Sequence, residues 1–134
     1  MPERTPHGLL DTCVLIDYLD IPAESFPVES MVSAISLAEL SVGVQYAKDP
    51  VQRSLRMSRL LMVQANMTGL PFTEEAARVF GHLNALVLAA GRNPRPRRMD
   101  LLIAATAVTA GVPLYTRNVD DFKGLESQLT VVPV

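Results

Sequence analysis

The sequence has a single cysteine, no tryptophan and few aromatic residues of any kind, 5% of its 134 positions. One cysteine cannot close a disulfide within the chain or build a cysteine-rich zinc site, and it suits a reducing compartment. Sparse aromatics leave little scope for stacking bases on exposed rings. Charge of one sign is also missing: charged residues make up 19% of the chain and the formal net charge is -2, which argues against global disorder and against a generally basic surface. Any hold on a polyanion must therefore come from local clusters. Long apolar runs are absent too. The opening stretch MPERTPHGLLDTCVLIDYLD is interrupted by Asp11 and Asp17, so it reads as neither a leader nor a spanning helix, with no membrane partner and the cytoplasm as the expected location. No glycine-rich GKS or GKT segment exists, which excludes a P-loop nucleotidase.

What is present is 49% hydrophobic content, enough for one well-buried core and too short a chain for two, so residues 1–134 are expected to form one domain. Gly8 to Leu10 reads as a short buried strand that runs into a helix after Asp11-Thr12. Pro22 and Pro27 mark a loop, and Met31 to Ile35 is a second apolar run. Ser36 is placed to cap the helix that follows, with Glu39 three positions on, the capping-box spacing. Asp49-Pro50 opens an amphipathic helix over 51–67, Gly69-Leu70-Pro71-Phe72 interrupts it, and Thr73 caps a helix that Gly91 ends. GRNPRPRR is a loop. MDLLIAATAVTAG is a helix stopped by Gly111, VPLYT is a strand, and a last strand spans Leu129 to Val132. Short strands alternating with helices predict an α/β fold, a three-layer α/β/α sandwich around a short central parallel sheet.

In such a fold ligands bind beyond the carboxyl ends of the strands. Asp11 ends the first strand, Glu39 lies in the first turn of the helix opened by Ser36 and Asp100 in the first turn of the penultimate helix, so all three acids can reach one crevice. Gathered there they repel one another unless a cation neutralises them, and hard oxygen ligands favour magnesium, with manganese as a substitute, over zinc. Metal-assisted hydrolysis of a phosphodiester needs no histidine, and His7 and His82 read as solvated or packed. Each acid also has a plain explanation. Glu39 serves equally well as a capping-box partner of Ser36, and Asp100 favours a helix start whether or not it binds metal. Asp11 is harder to dismiss, since an acid following a buried run is costly unless paired or exposed. Spacing alone leaves the choice open.

LLDTCVLIDYL, SAISLAEL and MDLLIAATAVTAGVPLYTRNVDDF, in that order and covering nearly the whole chain, together resemble the PIN-domain family, particularly VapC-type toxins. The resemblance implies a metal-dependent endoribonuclease of a toxin–antitoxin pair, with Asp11, Glu39 and Asp100 as the acidic metal-site residues, Thr12 lining the site, and products ending in a 5′-phosphate and a 3′-hydroxyl. Where many relatives carry a fourth acid this chain has Asn118, with Asp120 and Asp121 just beyond. Either of these is expected to act through water, with Thr116 and Asn118 as polar support. One magnesium held chiefly by Asp11 and Asp100, with Glu39 and a late Asp helping, is the expected arrangement. Cys13 reads as a packed small side chain and Asp17 as a group at the far end of the first helix, outside the site.

Arg92, Arg95, Arg97 and Arg98 fall in one proline-rich loop beside Asp100, and with Arg117 they are candidate contacts to RNA phosphates. Arg53, Arg56 and Arg59 suit intrahelical pairs or the acidic segment of a partner. The resemblance further implies a homodimer and a small VapB-like antitoxin that blocks the site. Met57, Met62 and Met67 read mostly as core. A haloacid-dehalogenase-like phosphatase also places an Asp after its first strand, but it wants a second Asp two residues later, and here Asp11 is followed by Thr12 and Cys13. The serious alternative is a PIN-like module with weak catalysis that binds RNA or a partner.

Overall fold

The computed structural model describes residues 4–134. Residues 1–3, the head of the stretch read above as carrying no leader, lie outside the described residues. Strands β1 (His7–Leu10), β2 (Glu29–Ser33), β3 (Thr68–Leu70), β4 (Leu114–Thr116) and β5 (Val131–Pro133) alternate with helices α1 (Thr12–Ile16), α2 (Ala34–Gln45), α3 (Pro50–Asn66), α4 (Glu74–Ala89) and α5 (Arg98–Ala110). The sheet order is β3-β2-β1-β4-β5, and every neighbouring pair is parallel.

β1 is the middle strand, and its two leucines show why three layers form. Successive side chains on a strand face opposite sides. Leu9 packs with Leu83 of α4, Leu101 of α5, Leu114 and Phe122 on one face. Leu10 packs with Val14 of α1, Leu40 of α2, Val63 of α3, Val32 and Tyr115 on the other. Both leucines are fully buried, the mark of a strand covered on both sides, and helices therefore occupy both faces of the sheet. The connections leave β1 towards β2 and return to β4 on its other side. That reversal opens a crevice at the carboxyl ends of the central strands, where Asp11, Ser33 and Thr116 lie.

Local chemistry sets most of the helix boundaries. The Asp49 carboxylate accepts from the Gln52 amide at 2.8 Å with Pro50 in the first turn of α3, and the Thr73 hydroxyl accepts from the Ala76 amide at 3.1 Å ahead of Glu74 and Glu75. Gly111 closes α5 at φ 69°, a left-handed conformation that glycine adopts without a Cβ clash.

Three sequence-based boundaries need correction. The cap of α2 is Ser33, not Ser36: the Ser33 hydroxyl accepts the Ser36 amide at 3.0 Å, and Ala34 and Ile35 are already helical. The apolar character of Ile35 extended the strand reading because a helix residue packed on the core looks the same as a strand residue in so short a run. Glu39 consequently lies in the second turn and is no capping-box partner. The segment around Gly69 contains the edge strand β3, too short and too exposed to give an alternating pattern. The last strand spans Val131–Pro133, somewhat later than Leu129 to Val132, because Leu129 packs into the core before the strand begins.

Gly8 is fixed by a neighbour. A Cβ there would lie 2.6 and 2.8 Å from ring carbons of Tyr115 and 3.0 Å from Pro27. Tyr115 cannot yield easily, since it is 2% exposed and its hydroxyl is hydrogen-bonded to that of Thr5 at 2.6 Å. Gly8→Ala is therefore expected to destabilise the fold by about 1–3 kcal/mol through overpacking. Urea denaturation checks this, and an unchanged midpoint would show that the β1–β4 contact is loose.

Candidate functional site

Asp11 follows β1 and is 4% exposed. A buried carboxylate needs donors, and three are supplied. Oδ1 accepts from the Thr12 amide at 2.9 Å, while Oδ2 accepts from the Thr116 hydroxyl at 2.8 Å and from the Cys13 thiol at 3.3 Å. Thr116, fully buried at the end of β4, accepts in turn from the Asn118 amide at 3.0 Å. Burial, and after it the charge of Asp11, pushes the Cys13 thiol up, so the sulfur stays protonated and acts as a donor.

Glu39 is held through hydroxyls. A carboxylate can only accept, so Thr12 donates to Glu39 Oε1 at 2.7 Å. The Thr12 oxygen is then free to accept from Ser36 at 2.8 Å, and Ser36 accepts from Ser33 at 3.2 Å. The chain Ser33–Ser36–Thr12–Glu39 thus has every proton directed towards the acid. Ser33 and its relay escaped sequence reasoning. The available signal was a serine three residues before another at the end of an apolar run, which is the spacing of a cap.

Asp100 lies half-buried in the first turn of α5, and its carboxyl is raised from 3.8 to about 6. Burial is the largest cause, followed by the charges of Asp11, Asp121 and Glu39, with Arg97 acting in the opposite direction. Four acids from four segments are therefore electrically coupled. Asp121 is paired to Arg97 at 2.7 Å. Asp120 is mostly exposed, 3.9 Å from Lys123 Nζ, and does not figure among the charges acting on Asp100. Asn118 faces solvent.

The arginines divide. Arg92 donates to the carbonyls of Asp120 at 2.9 Å and Lys123 at 3.4 Å, Arg97 is bound to Asp121, and Arg117 pairs with Asp17 at 3.2 Å. Arg95 and Arg98 are exposed, and their guanidinium groups take no intrachain hydrogen bond or ion pair among the described residues.

The donor set fits a hard divalent cation in kind: anionic oxygens, with one carboxyl pushed up by burial and then by its neighbours' charges. It does not form a closed cage. Among the described residues, no three His, Cys, Asp or Glu side chains converge closely enough to hold a metal ion. The oxygens of Asp11, Glu39 and Asp121 are turned instead to Thr12, Thr116, Cys13 and Arg97.

The coupling of Asp100 has a consequence for stability. Because its folded pKa lies above the unfolded value, the unfolded chain releases this proton first. Stability is fully retained below about pH 4 and lost as the pH rises towards 6. In metal-free buffer, Asp100→Asn is expected to raise the melting temperature by about 3 °C above pH ~7, allowing for partial solvent screening, and to leave it unchanged below pH ~4. An equal effect at both pH values would show that charge is not the cause.

The PIN domain family model matches residues 8–126. The chain is 35% identical over 127 residues to Ribonuclease VapC5 of Mycobacterium tuberculosis, covering 92% of this chain and 91% of that protein. It is 33% identical to Ribonuclease VapC of Rickettsia bellii over 111 residues, 79% of this chain and 78% of that one. Among solved structures, a member of the VapBC family of toxin-antitoxin systems from Mycobacterium tuberculosis, VapBC-5, superposes with a TM-score of 0.81 at 32% identity, over 96% of this chain and 99% of that one.

Proposed function

The chain belongs to the PIN-domain family, among its VapC-type toxin–antitoxin ribonucleases, and on that premise we propose that it is a metal-dependent endoribonuclease, the toxin of a VapBC-type pair. The observation that carries this reading is the placing of Asp11, Glu39, Asp100 and Asp121, from four segments of the chain, around one crevice, where burial first and the neighbouring charges after it raise the Asp100 carboxyl. Gathered acids repel one another, and a bound cation would relieve that repulsion at Asp100. Magnesium, or manganese in its place, is the proposed ion, held by Asp11 and Asp100 with Glu39 and Asp121 assisting. Bound there, it would stabilise charge on a phosphodiester and acidify water.

The chain's own residues prepare the site. Thr116 and the Thr12 amide fix the Asp11 carboxylate, the serine relay fixes Glu39 through Thr12, and Arg97 keeps Asp121 at the crevice. Neither His7 nor His82 has a part. Arg95 and Arg98, unengaged in the chain, are the proposed contacts to RNA phosphates, whereas Arg92, Arg97 and Arg117 hold the loop and its neighbours in place. A VapB-like antitoxin that covers the crevice, a homodimer, one domain over 1–134 and a cytoplasmic location complete the proposal. No helix among the described residues is long and apolar enough to cross a membrane.

A second reading is a catalytically weak PIN-like module that binds RNA or a protein partner. The lack of a three-ligand cluster among the described residues favours it, as does Asn118 in place of an acid. On ligand geometry alone this reading is the better supported, while the charge coupling supports the first.

Incubation of the purified chain with total RNA separates them. Cleavage is expected with magnesium and not with a chelator, and Asp100→Asn is expected to lower it by at least ~100-fold. Equal cleavage by both proteins would identify a contaminant, whereas RNA retained but uncut at every magnesium concentration would establish the binding module. Joint replacement of Arg95 and Arg98 by Ala should weaken RNA binding and flatten its dependence on salt, and an unaltered slope would remove that loop from the interface.

A further inference from the structure

A cavity of about 280 Å³ opens beside Thr12 and Glu39, walled also by Ile16 of α1, Gly43 of α2, and Arg56 and Arg59 of α3. The two arginines differ in what they do. Arg56 donates through Nη1 to the Gly43 carbonyl at 2.6 Å, satisfying an acceptor in the last turn of α2 that the helix itself leaves free and tying α3 to α2. Arg59 lies one turn further along α3, half-buried, and its guanidinium takes no hydrogen bond or ion pair among the described residues.

Gly43 gives the cavity a wall of bare backbone. Gly81 of α4 is likewise a helical glycine with open space where a Cβ would stand, so it is the place of Gly43 beside Thr12 and Glu39 that bears on a ligand. Glycine inside a helix is destabilising relative to alanine, and nothing within the chain asks for it. Its φ is not positive, and a Cβ built there meets no atom within 4 Å. Neither backbone conformation nor packing explains the residue. Its bare backbone forms part of the cavity wall, and the missing side chain leaves the cavity its depth.

We propose that this cavity is a subsite for the nucleotide adjoining the scissile phosphate of an RNA substrate, with Arg59 holding a backbone phosphate, the sugar lying over Gly43 and the base against the half-exposed Ile16. The proposal rests on the reading above, that RNA is hydrolysed at the carboxylates. An anionic chain is favoured as occupant because two of the three charged side chains in the wall are guanidiniums, and that of Arg59 has no intrachain partner among the described residues, which suits it to phosphate. The cavity also shares Glu39 and Thr12 with the candidate site, so a strand laid across the carboxylates continues into it.

The test uses Gly43→Leu, Gly43→Ala, Arg59→Gln and Arg59→Lys in the full chain. Binding of a labelled mixed-sequence single-stranded RNA pool is measured in chelator, and cleavage of total RNA in magnesium. Gly43→Leu and Arg59→Gln are expected to weaken binding on the order of tenfold, and Arg59→Gln to reduce the slope of log affinity against log salt by about one. Arg59→Lys should recover part of the loss. Gly43→Ala should melt above the wild type while binding RNA less tightly, a divergence that a purely structural glycine would not give. Wild-type cleavage with all four variants binding normally would overturn the subsite alone. Variants that bind RNA normally but escape inhibition by a co-expressed antitoxin would assign the cavity to that protein and overturn the RNA subsite. A wild type that neither binds nor cuts RNA would remove the ribonuclease reading and the subsite with it.

Discussion

The structure is organised around one electrostatic conflict: Asp11, Glu39 and Asp121 lie near enough to Asp100 for their charges to act on it, although among the described residues no three acids come together at metal-holding distance. Each acid belongs to a different stretch of chain, so only the folded topology brings their charges together. The fold tolerates them by different means. Asp11 is saturated with donors from its own helix start and from β4, Glu39 is fed by a line of hydroxyls, Asp121 has an arginine, and Asp100 is left to hold its proton more tightly. Asp100 bears the strain of the arrangement because it begins a helix whose other face is buried against the sheet, and burial is the largest single cause of its shift.

The same arrangement explains why so many small hydroxyl residues surround the crevice. Threonine and serine can accept from one neighbour while donating to another. They therefore carry the pull of a carboxylate back to the backbone amides that cap α2 and turn the chain after β4. In this way the residues that end the strands also orient the acids. Among the described residues no buried side-chain polar atom is left without a partner, so a ligand at Asp11 competes with existing hydrogen bonds, whereas the half-buried Asp100 carboxylate takes none from the chain.

The general architecture was legible because the strands of a doubly covered sheet are short continuous apolar runs, and Gly8 to Leu10 and VPLYT both have that form. The cap Thr73 was equally visible, as was the Asp49-Pro50 break that opens α3. Ser33 was not, because the apolar residues after it serve strand and helix patterns alike, and that one misplaced cap made Glu39 look like a helix-start residue. That the charges of Asp11 and Glu39 act on Asp100 agrees with the strand-end and helix-start positions read for them. Which arginines are engaged could not be read from sequence, since Arg92, Arg97 and Arg117 find their partners 24 to 100 residues away. Asp120 and Asp121 were likewise indistinguishable in one dimension, as adjacent residues in a tight turn point to different surroundings.

The two border strands of the sheet are only three residues long, and one of them ends in Pro133, paired with Thr116. Proline offers no amide hydrogen, and so brief a ribbon gives an incoming extended peptide few groups to register against. Lateral growth of the sheet is thereby discouraged on both flanks. Two copies crowded together in solution have little template for fusing edge to edge into aggregates.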